Sequence, residues 1–300
     1  MNKIESVVIT PAKNVPIIPT SIIYTGKILQ FFSTNLATKF AIKLFGTPLR
    51  HKTPEREKMM AKSAQKELVH IPELKKDVMV YTYGYSKRKV LLVHGWSGRG
   101  TQLYKIADKL LENGFMTISF DTPAHGKSPG NTTVMTDFIA SIAEVDRKFG
   151  PFDAAVGHSL GGMSLLNAVK SGLKINRLVT IGSGDKVKDI LIDFVAKLEL
   201  KPEFSAHLQQ HFEKKYNTKM ESYSAYLAAQ SITIPVLVIH DEEDKEVPVW
   251  ASKNIFANLK NGEMLITNNL GHRKILGNQE VIDKTINFIN ICPMWCFVTP

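Results

Sequence analysis

The chain has 300 residues, of which 44% are hydrophobic, and a formal net charge of +10. This length suffices for one large domain or two small ones with a sizeable core. The two cysteines, Cys292 and Cys296, argue against a disulfide-built secreted protein, and their spacing without nearby histidines is a poor metal site. There is no signal-peptide pattern, and no run reaches the ~18 apolar residues needed to cross a bilayer. We expect a soluble, cytoplasmic protein.

The positive charge is concentrated at the start of the chain. Residues 1–89 carry 16 Lys and Arg and six Asp and Glu, whereas residues 90–300 carry 22 of each. An uneven charge of this kind concerns partners and solubility rather than the fold.

The first predicted element is a helix over residues 20–47. Apolar side chains recur there every four residues, from Ile28 to Leu44, and three lysines fall in the same segment. We favour the interpretation that this helix packs on the body of the protein or forms a dimer contact. The alternative is a weak contact with an anionic membrane surface. The sequence does not predict an oligomeric state.

A second helix is predicted from Thr53 to Leu68, because Thr53, Pro54 and Glu55 form a helix-start signal. We assign residues 1–77 to a basic helical extension. The next domain is predicted to span 78–291, followed by a tail at 292–300.

From residue 78 onward, short apolar runs that predict strands alternate with one-sided apolar patterns that predict helices. The predicted strands are 78–83, 90–93, 115–120, 154–156, 177–181, 235–239 and 264–267. The predicted helices are 101–112, 133–149, 160–169, 249–259 and 279–291. This alternation indicates an α/β fold with a mostly parallel central sheet covered by helices on both faces.

One interval interrupts this rhythm. Residues 184–233 separate two predicted strands and carry three helical patterns with many aromatic side chains. We predict a helical lid over the active site, the alternative being an ordinary pair of packing helices.

A candidate nucleophile follows the predicted strand 154–156. Gly157-His-Ser-Leu-Gly-Gly162 places a glycine two residues from Ser159 on each side. Such glycines permit the sharp strand–turn–helix that directs a serine Oγ into open space. The alternative is a turn serine that caps a helix. An acid and then a histidine follow in later strand-end loops, in the order Ser…Asp…His.

Four blocks of the sequence together resemble the α/β-hydrolase superfamily, and the resemblance covers roughly residues 78–290. The blocks are Leu92-Val-His-Gly-Trp-Ser-Gly98, Phe120-Asp-Thr-Pro-Ala-His-Gly-Lys-Ser128, Gly157–Gly162, and His240-Asp-Glu-Glu-Asp-Lys-Glu-Val-Pro248 with Gly271-His272. The resemblance implies the α/β-hydrolase fold and says little about the substrate.

The resemblance implies a catalytic triad. Ser159 is the expected nucleophile, and a serine hydroxyl needs a base within hydrogen-bond reach. His272 is the expected base. Asp244 is the expected acid that orients it, with Asp241 as the alternative.

The expected oxyanion hole consists of the backbone N–H groups of Trp96 and Leu160. Three other histidines have other expected places. His94 belongs to the oxyanion loop, His125 is structural, and His158 points away from the Ser159 Oγ.

We therefore expect a serine hydrolase that cleaves a carboxylic ester or thioester through an acyl-enzyme, with a small-molecule acyl compound as its substrate. The alternatives are a carbon–carbon bond hydrolase or acyltransferase on the same scaffold, or a non-catalytic binding protein. No cofactor is expected, because the glycines at 95, 98 and 100 do not follow the dinucleotide-binding pattern. No metal is expected, because no cluster of His, Cys and Asp has zinc-ligand spacing. No nucleic acid is expected, because the sequence has positive charge but no recognisable binding motif.

Overall fold

The structure is a computed structural model that describes residues 18–291. The predicted tail at 292–300, with Cys292 and Cys296, and the first 17 residues of the predicted extension lie outside the described residues. Eight strands form one sheet. In chain order they are β1 (Gln65–Ile71), β2 (Lys76–Tyr83), β3 (Lys89–Val93), β4 (Met116–Asp121), β5 (Ala154–His158), β6 (Arg177–Ile181), β7 (Val236–Asp241) and β8 (Gly262–Thr267).

The strand order across the sheet is β1-β2-β4-β3-β5-β6-β7-β8. Strand β2 runs antiparallel to both of its neighbours, and the other described pairings from β4 to β8 are parallel. Strands β5 and β7 are buried along their whole length, as expected for parallel strands covered on both faces. The predicted α/β architecture is confirmed.

Helices cover both faces of this sheet. In chain order they are α1 (Thr20–Phe32), α2 (Thr34–Phe45), α3 (Lys58–Ser63), α4 (Tyr104–Glu112), α5 (Met135–Phe149), α6 (Leu160–Lys170), α7 (Val187–Lys197), α8 (Glu203–Tyr216), α9 (Ala225–Ala229), α10 (Trp250–Ala257), α11 (Gly271–Lys274) and α12 (Gln279–Asn290). Helices α5, α6, α9 and α10 share one hydrophobic core, and α4 and α12 share the core on the opposite face. Within residues 18–291, none of the helices is long and apolar enough to cross a membrane.

The single helix predicted over residues 20–47 is wrong, because the chain breaks at Ser33. Its backbone is extended there, with φ −161° and ψ 117°, and its hydroxyl accepts a hydrogen bond from the Leu36 N–H at 3.3 Å. A serine that caps the next helix in this way competes with helix continuation. The result is a helical hairpin of α1 and α2, which we call the α1–α2 hairpin.

One face of the α1–α2 hairpin packs on α7 and α8. Ala37 and Ala41 are fully buried in a cluster with leucines and valines of those two helices. Lys27 forms an ion pair with Glu199, and the Gln30 side chain accepts a hydrogen bond from the backbone of the loop after α7. Small side chains at the contact allow the two pairs of helices to approach closely.

The second predicted helix also ends earlier than expected. It runs only to Ser63, and residues 65–71 form β1 instead of its last turns. Val69 and Ile71 point into the core while charged side chains remain outside, which suits an exposed edge strand. The sheet therefore begins before residue 78, where the sequence predicts the domain to start.

The insertion after β6 spans fewer residues than the predicted lid at 184–233. Asp185 joins the two ends of the insertion by hydrogen bonds. The Asp185 carbonyl accepts from the Ala225 N–H at 2.9 Å, and the Asp185 carboxylate accepts from the Tyr226 N–H at 2.8 Å. Helix α9, which follows, is rich in alanine and packs into the main core. The insertion between these two ends consists of α7 and α8 with a short turn after them, and Val187 at the start of α7 still packs in the main core.

Ala41→Asp should destabilise the protein, because an unpartnered polar group buried at this position costs ~2 kcal/mol or more. Thermal unfolding should show a Tm several degrees below that of the wild type. Asn35→Asp adds the same charge at an exposed position of the same helix, and we expect it to change the Tm by about a degree at most. Equal Tm values for the two variants would contradict the burial of Ala41.

Candidate active site

Ser159 occupies the sharp turn between β5 and α6. Its backbone has φ 53° and ψ −119°, a strained conformation for a residue with a side chain. The flanking glycines are required by close contact, since a Cβ at Gly157 would lie 2.6 Å from the Gly161 carbonyl oxygen. Ser159 itself is half-buried at the carboxyl edge of the sheet. The predicted elbow geometry is thus present around this serine.

His272 and Asp244 are in direct contact. The His272 Nδ1 lies 2.7 Å from Asp244 Oδ2, and both residues are buried. Because a carboxylate only accepts, the imidazole proton is on Nδ1. Burial raises the pKa of Asp244, but hydrogen bonds from His240, His272 and the Val247 backbone outweigh burial and hold it well below its usual range. The carboxylate is therefore ionised at neutral pH.

His240 is a second partner of Asp244 that sequence reasoning missed. Its Nε2 lies 3.3 Å from Asp244 Oδ2 and 2.9 Å from the Val247 carbonyl oxygen. Its Nδ1 lies 2.6 Å from the Ser252 hydroxyl. Since a carbonyl only accepts, Nε2 carries the proton. His240 stands in the sequence block that holds the acid, but nothing in the spacing indicates that its ring turns toward Asp244.

Asp241, the alternative acid, binds the backbone of the loop before His272 rather than the His272 ring. Its Oδ1 accepts from the Gly271 N–H at 2.8 Å, and its Oδ2 accepts from the Leu270 N–H at 3.1 Å and the Thr267 hydroxyl at 2.8 Å. These bonds hold the loop that carries His272. Within residues 18–291, Asp241 makes no hydrogen bond to the His272 ring.

The end of β6 lies next to both Ser159 and His272. The Ser159 N–H donates to the Ile181 carbonyl at 2.9 Å, and a Cβ at Gly182 would lie 3.3 Å from His272 Nδ1. No hydrogen bond joins the Ser159 hydroxyl to His272 within the described part of the chain. Such bonds are often long in free enzymes and tighten with substrate.

His158 supports the segment that carries His272. Its Nε2 donates to the His272 carbonyl at 2.9 Å, and the two ring centroids are 4.6 Å apart. Burial lowers the pKa of His158 to about 3, with the nearby His272 adding to the effect. The neutral His158 ring therefore serves as a hydrogen-bond donor that holds the His272 backbone in place.

The two predicted oxyanion donors adjoin the elbow. A Cβ at Gly95 would lie 2.9 Å from the Ser159 Cβ, so the loop after β3 lies directly against this serine. Leu160 begins α6 and has no intrahelical acceptor for its N–H. The Trp96 N–H donates to no protein acceptor within residues 18–291. Both donors remain available to a third group.

Two neutral histidines fix the loop that contains Trp96. His125 Nε2 accepts from the Ser97 N–H at 3.0 Å, and His94 Nε2 accepts from the Thr122 N–H at 3.1 Å. Burial lowers the pKa of His125 to about 4 and that of His94 well below its usual value. Each ring can therefore accept a backbone hydrogen bond at neutral pH.

Arg50 is a further contributor that sequence reasoning missed. Its guanidinium donates to the carbonyls of Ala124 at 3.0 Å, Ser128 at 2.7 Å and Gly130 at 2.8 Å. These residues belong to the loop that also carries His125. The contacts span 74 to 80 positions of sequence, so no local pattern could reveal them.

No group of three or more His, Cys, Asp or Glu side chains within residues 18–291 is arranged to hold a metal ion.

Family comparisons assign this architecture to a known class. The α/β hydrolase fold family matches residues 89–216, and a second family of the same superfamily, described as TAP-like protein, matches residues 212–289. The chain belongs to the α/β-hydrolase superfamily, and the resemblance drawn from the sequence is confirmed. A comparison with curated proteins found no significant match.

Solved structures with the same fold share little sequence with this chain. An esterase (EaEST) from Exiguobacterium antarcticum is 17% identical with a TM-score of 0.59, covering 75% of this chain and 99% of its own. A bromoperoxidase from Bacillus anthracis is 14% identical with a TM-score of 0.58, covering 75% and 99%. Mouse alpha/beta hydrolase domain-containing protein 10 is 18% identical with a TM-score of 0.59, covering 76% and 97%. At these identities the likeness concerns the fold alone.

The protein should lose stability as the pH falls below about 6.5, the ordinary pKa of histidine in the unfolded chain. His94, His125 and His158 have lowered pKa values in the folded state, so the unfolded state binds more protons. Each should contribute a slope of up to ~1.4 kcal/mol per pH unit, continuing down to about pH 4. The raised pKa of buried Asp121 opposes this trend in part.

Urea unfolding at pH 7.5, 6 and 5 measures this effect. His125→Gln should flatten the slope by about one histidine's share, even if it lowers stability at every pH. A free energy of unfolding that is constant from pH 7.5 to 5 would contradict the neutral state of these rings.

Proposed function

We propose that the protein is a serine hydrolase that cleaves a carboxylic ester or thioester through an acyl-enzyme. The observation that carries this proposal is the 2.7 Å contact between His272 and ionised Asp244, next to an elbow that holds Ser159 at φ 53°.

The proposed first half-reaction forms the acyl-enzyme. With its proton on Nδ1, the His272 ring has a free Nε2 lone pair that takes the Ser159 proton as Oγ attacks the acyl carbon. The carbonyl oxygen becomes an oxyanion and accepts hydrogen bonds from the Trp96 and Leu160 N–H groups. The tetrahedral intermediate then collapses, the bond to the leaving oxygen or sulfur breaks, and His272 returns the proton to that atom.

The second half-reaction releases the acid. A water molecule gives its proton to His272 while its oxygen attacks the acyl carbon. Collapse of the new intermediate breaks the bond to the Ser159 Oγ, which regains the proton from His272. The products are a carboxylic acid and the unmodified serine.

Asp244 stabilises the imidazolium that forms in each half-reaction and keeps the ring in the required tautomer. His240 donates to the same carboxylate oxygen and fixes its direction. Acyl transfer or carbon–carbon bond cleavage would use the same residues with a different acceptor or leaving group.

Ser159→Ala should abolish turnover of a p-nitrophenyl ester series from acetate to palmitate and should also abolish labelling by a fluorophosphonate probe. The Tm should stay unchanged, because a half-buried hydroxyl contributes little to packing. Ser183→Ala is the matched control, since Ser183 lies at the same sheet edge and bonds only to its neighbour's carbonyl. Labelling of the Ser159→Ala variant would refute this nucleophile. A wild-type protein that is neither labelled nor active would indicate a binding protein.

Asp244→Asn should lower kcat by about 10⁴, because the amide leaves the imidazole in the wrong tautomer. Glu243→Gln removes the same charge from an exposed position of the same loop and should change kcat by no more than about twofold. Steady-state kinetics on a p-nitrophenyl ester at fixed pH compares the two variants. Equal losses would mean that charge alone, rather than the contact with His272, is responsible.

A further inference from the structure

The tip of the α1–α2 hairpin exposes two adjacent phenylalanines. Phe31 is 84% and Phe32 is 77% exposed, and their rings meet edge to face with centroids 5.2 Å apart. Tyr24, Ile28 and Leu36 are also exposed. We call these five side chains the hairpin patch. Contiguous exposed apolar patches of this kind mark interaction sites or membrane contacts.

Within residues 18–291, the side chains of the hairpin patch take no part in the hydrophobic clusters. The hairpin contacts α7 and α8 through its small residues Gly26, Ala37 and Ala41. Tyr24 and Ile28 are four residues apart and Phe31 and Phe32 follow one turn later, so they form a stripe along α1. The hairpin thus has a buried face, which also includes Ile22, Leu29 and Ile42, and an exposed face that carries the hairpin patch.

The charged side chains of the hairpin segment itself are all basic, and one of them, Lys27, is paired with Glu199. Residues 18–54 contain no Asp or Glu. Lys39 and Lys43 are exposed on α2, three and seven residues after Leu36, and therefore lie on the same side of that helix. An exposed apolar stripe flanked by lysines is complementary to an anionic surface with an apolar interior.

We propose that the α1–α2 hairpin docks the protein on an anionic lipid surface, with Phe31 and Phe32 among the acyl chains and Lys39 and Lys43 at the headgroups. Helix α1 has 13 residues, about 20 Å of helix, which is too short to span the ~30 Å core of a bilayer. The docking is therefore peripheral.

A lipid surface fits these side chains better than a second copy of the chain. A symmetric dimer through the hairpin patch would bring the same lysines face to face, and residues 18–54 offer no acid to pair with them. A protein partner would also need a pocket that fits Phe31 and Phe32, whereas lipid requires no matching shape.

The hairpin is firmly attached to the rest of the molecule. The Lys27–Glu199 ion pair and the bond from the Lys201 N–H to the Gln30 side chain at 2.7 Å tie α1 to the insertion that follows β6. Docking through the tip would therefore fix the orientation of that insertion relative to the lipid. The proposal does not depend on hydrolytic activity.

Vesicle flotation of the full chain tests the docking. The wild type should bind phosphatidylglycerol–phosphatidylcholine vesicles, and Phe31→Ser with Phe32→Ser should weaken the apparent Kd at least about tenfold through lost apolar burial. Tyr85→Ser is the matched control, because Tyr85 is an 88% exposed aromatic in the turn between β2 and β3. It should bind as the wild type does, and all three proteins should share one Tm.

A second pair of measurements tests the charge. Lys39→Glu with Lys43→Glu, or a rise in salt to about 0.5 M, should weaken binding to the anionic vesicles. Binding that is equal on pure phosphatidylcholine would overturn the anionic assignment, and undiminished binding of the double serine variant would overturn the hairpin as the contact. The proposal would be refuted if the wild type did not bind vesicles but formed dimers that the double serine variant did not form. The hairpin patch would then be an interface between copies of the chain.

Discussion

The turn at Ser159 depends on close approach of three backbone segments, and the remainder of the site is arranged around that approach. Strand β5, helix α6 and the loop after β3 meet at distances that exclude a Cβ at Gly157, Gly161 and Gly95. The strained φ of Ser159 is tolerated because the surrounding packing permits no alternative path. The same packing brings the loop that carries Trp96 and the first turn of α6 close to this serine.

Two carboxylates, one at the end of β7 and one in the loop after it, together position the histidine. Asp241 accepts backbone hydrogen bonds and holds the turn into α11, so it determines where the histidine backbone lies. Asp244 contacts the ring and determines how the ring is turned. Both oxygens of Asp241 accept from the loop that carries the histidine, whereas Asp244 accepts backbone N–H groups on Oδ1 and contacts the two histidines with Oδ2.

Much of the sheet could be predicted from sequence, because buried parallel strands are short apolar runs separated by helices with one apolar face. The predicted strand 177–181 matches β6 residue for residue. Strand β1 could not be predicted, because an edge strand carries charged side chains on its outer face and its sequence lacks the apolar run that indicates a buried strand. The break at Ser33 was missed because a single serine in an otherwise helical pattern gives no strong stop signal. The roles of Arg50 and His240 rest on contacts that only the folded chain creates.

The hydrogen bonds of Asp185 to the backbone of residues 225 and 226 join the two ends of the insertion that holds α7 and α8. The chain therefore leaves the core and returns to it at nearly the same point. Such an arrangement is modular: helices between the two ends can be lengthened, shortened or exchanged without disturbing the register of β6 and β7. The two helices can thus diverge in length and sequence while the ends of β6 and β7 keep their places.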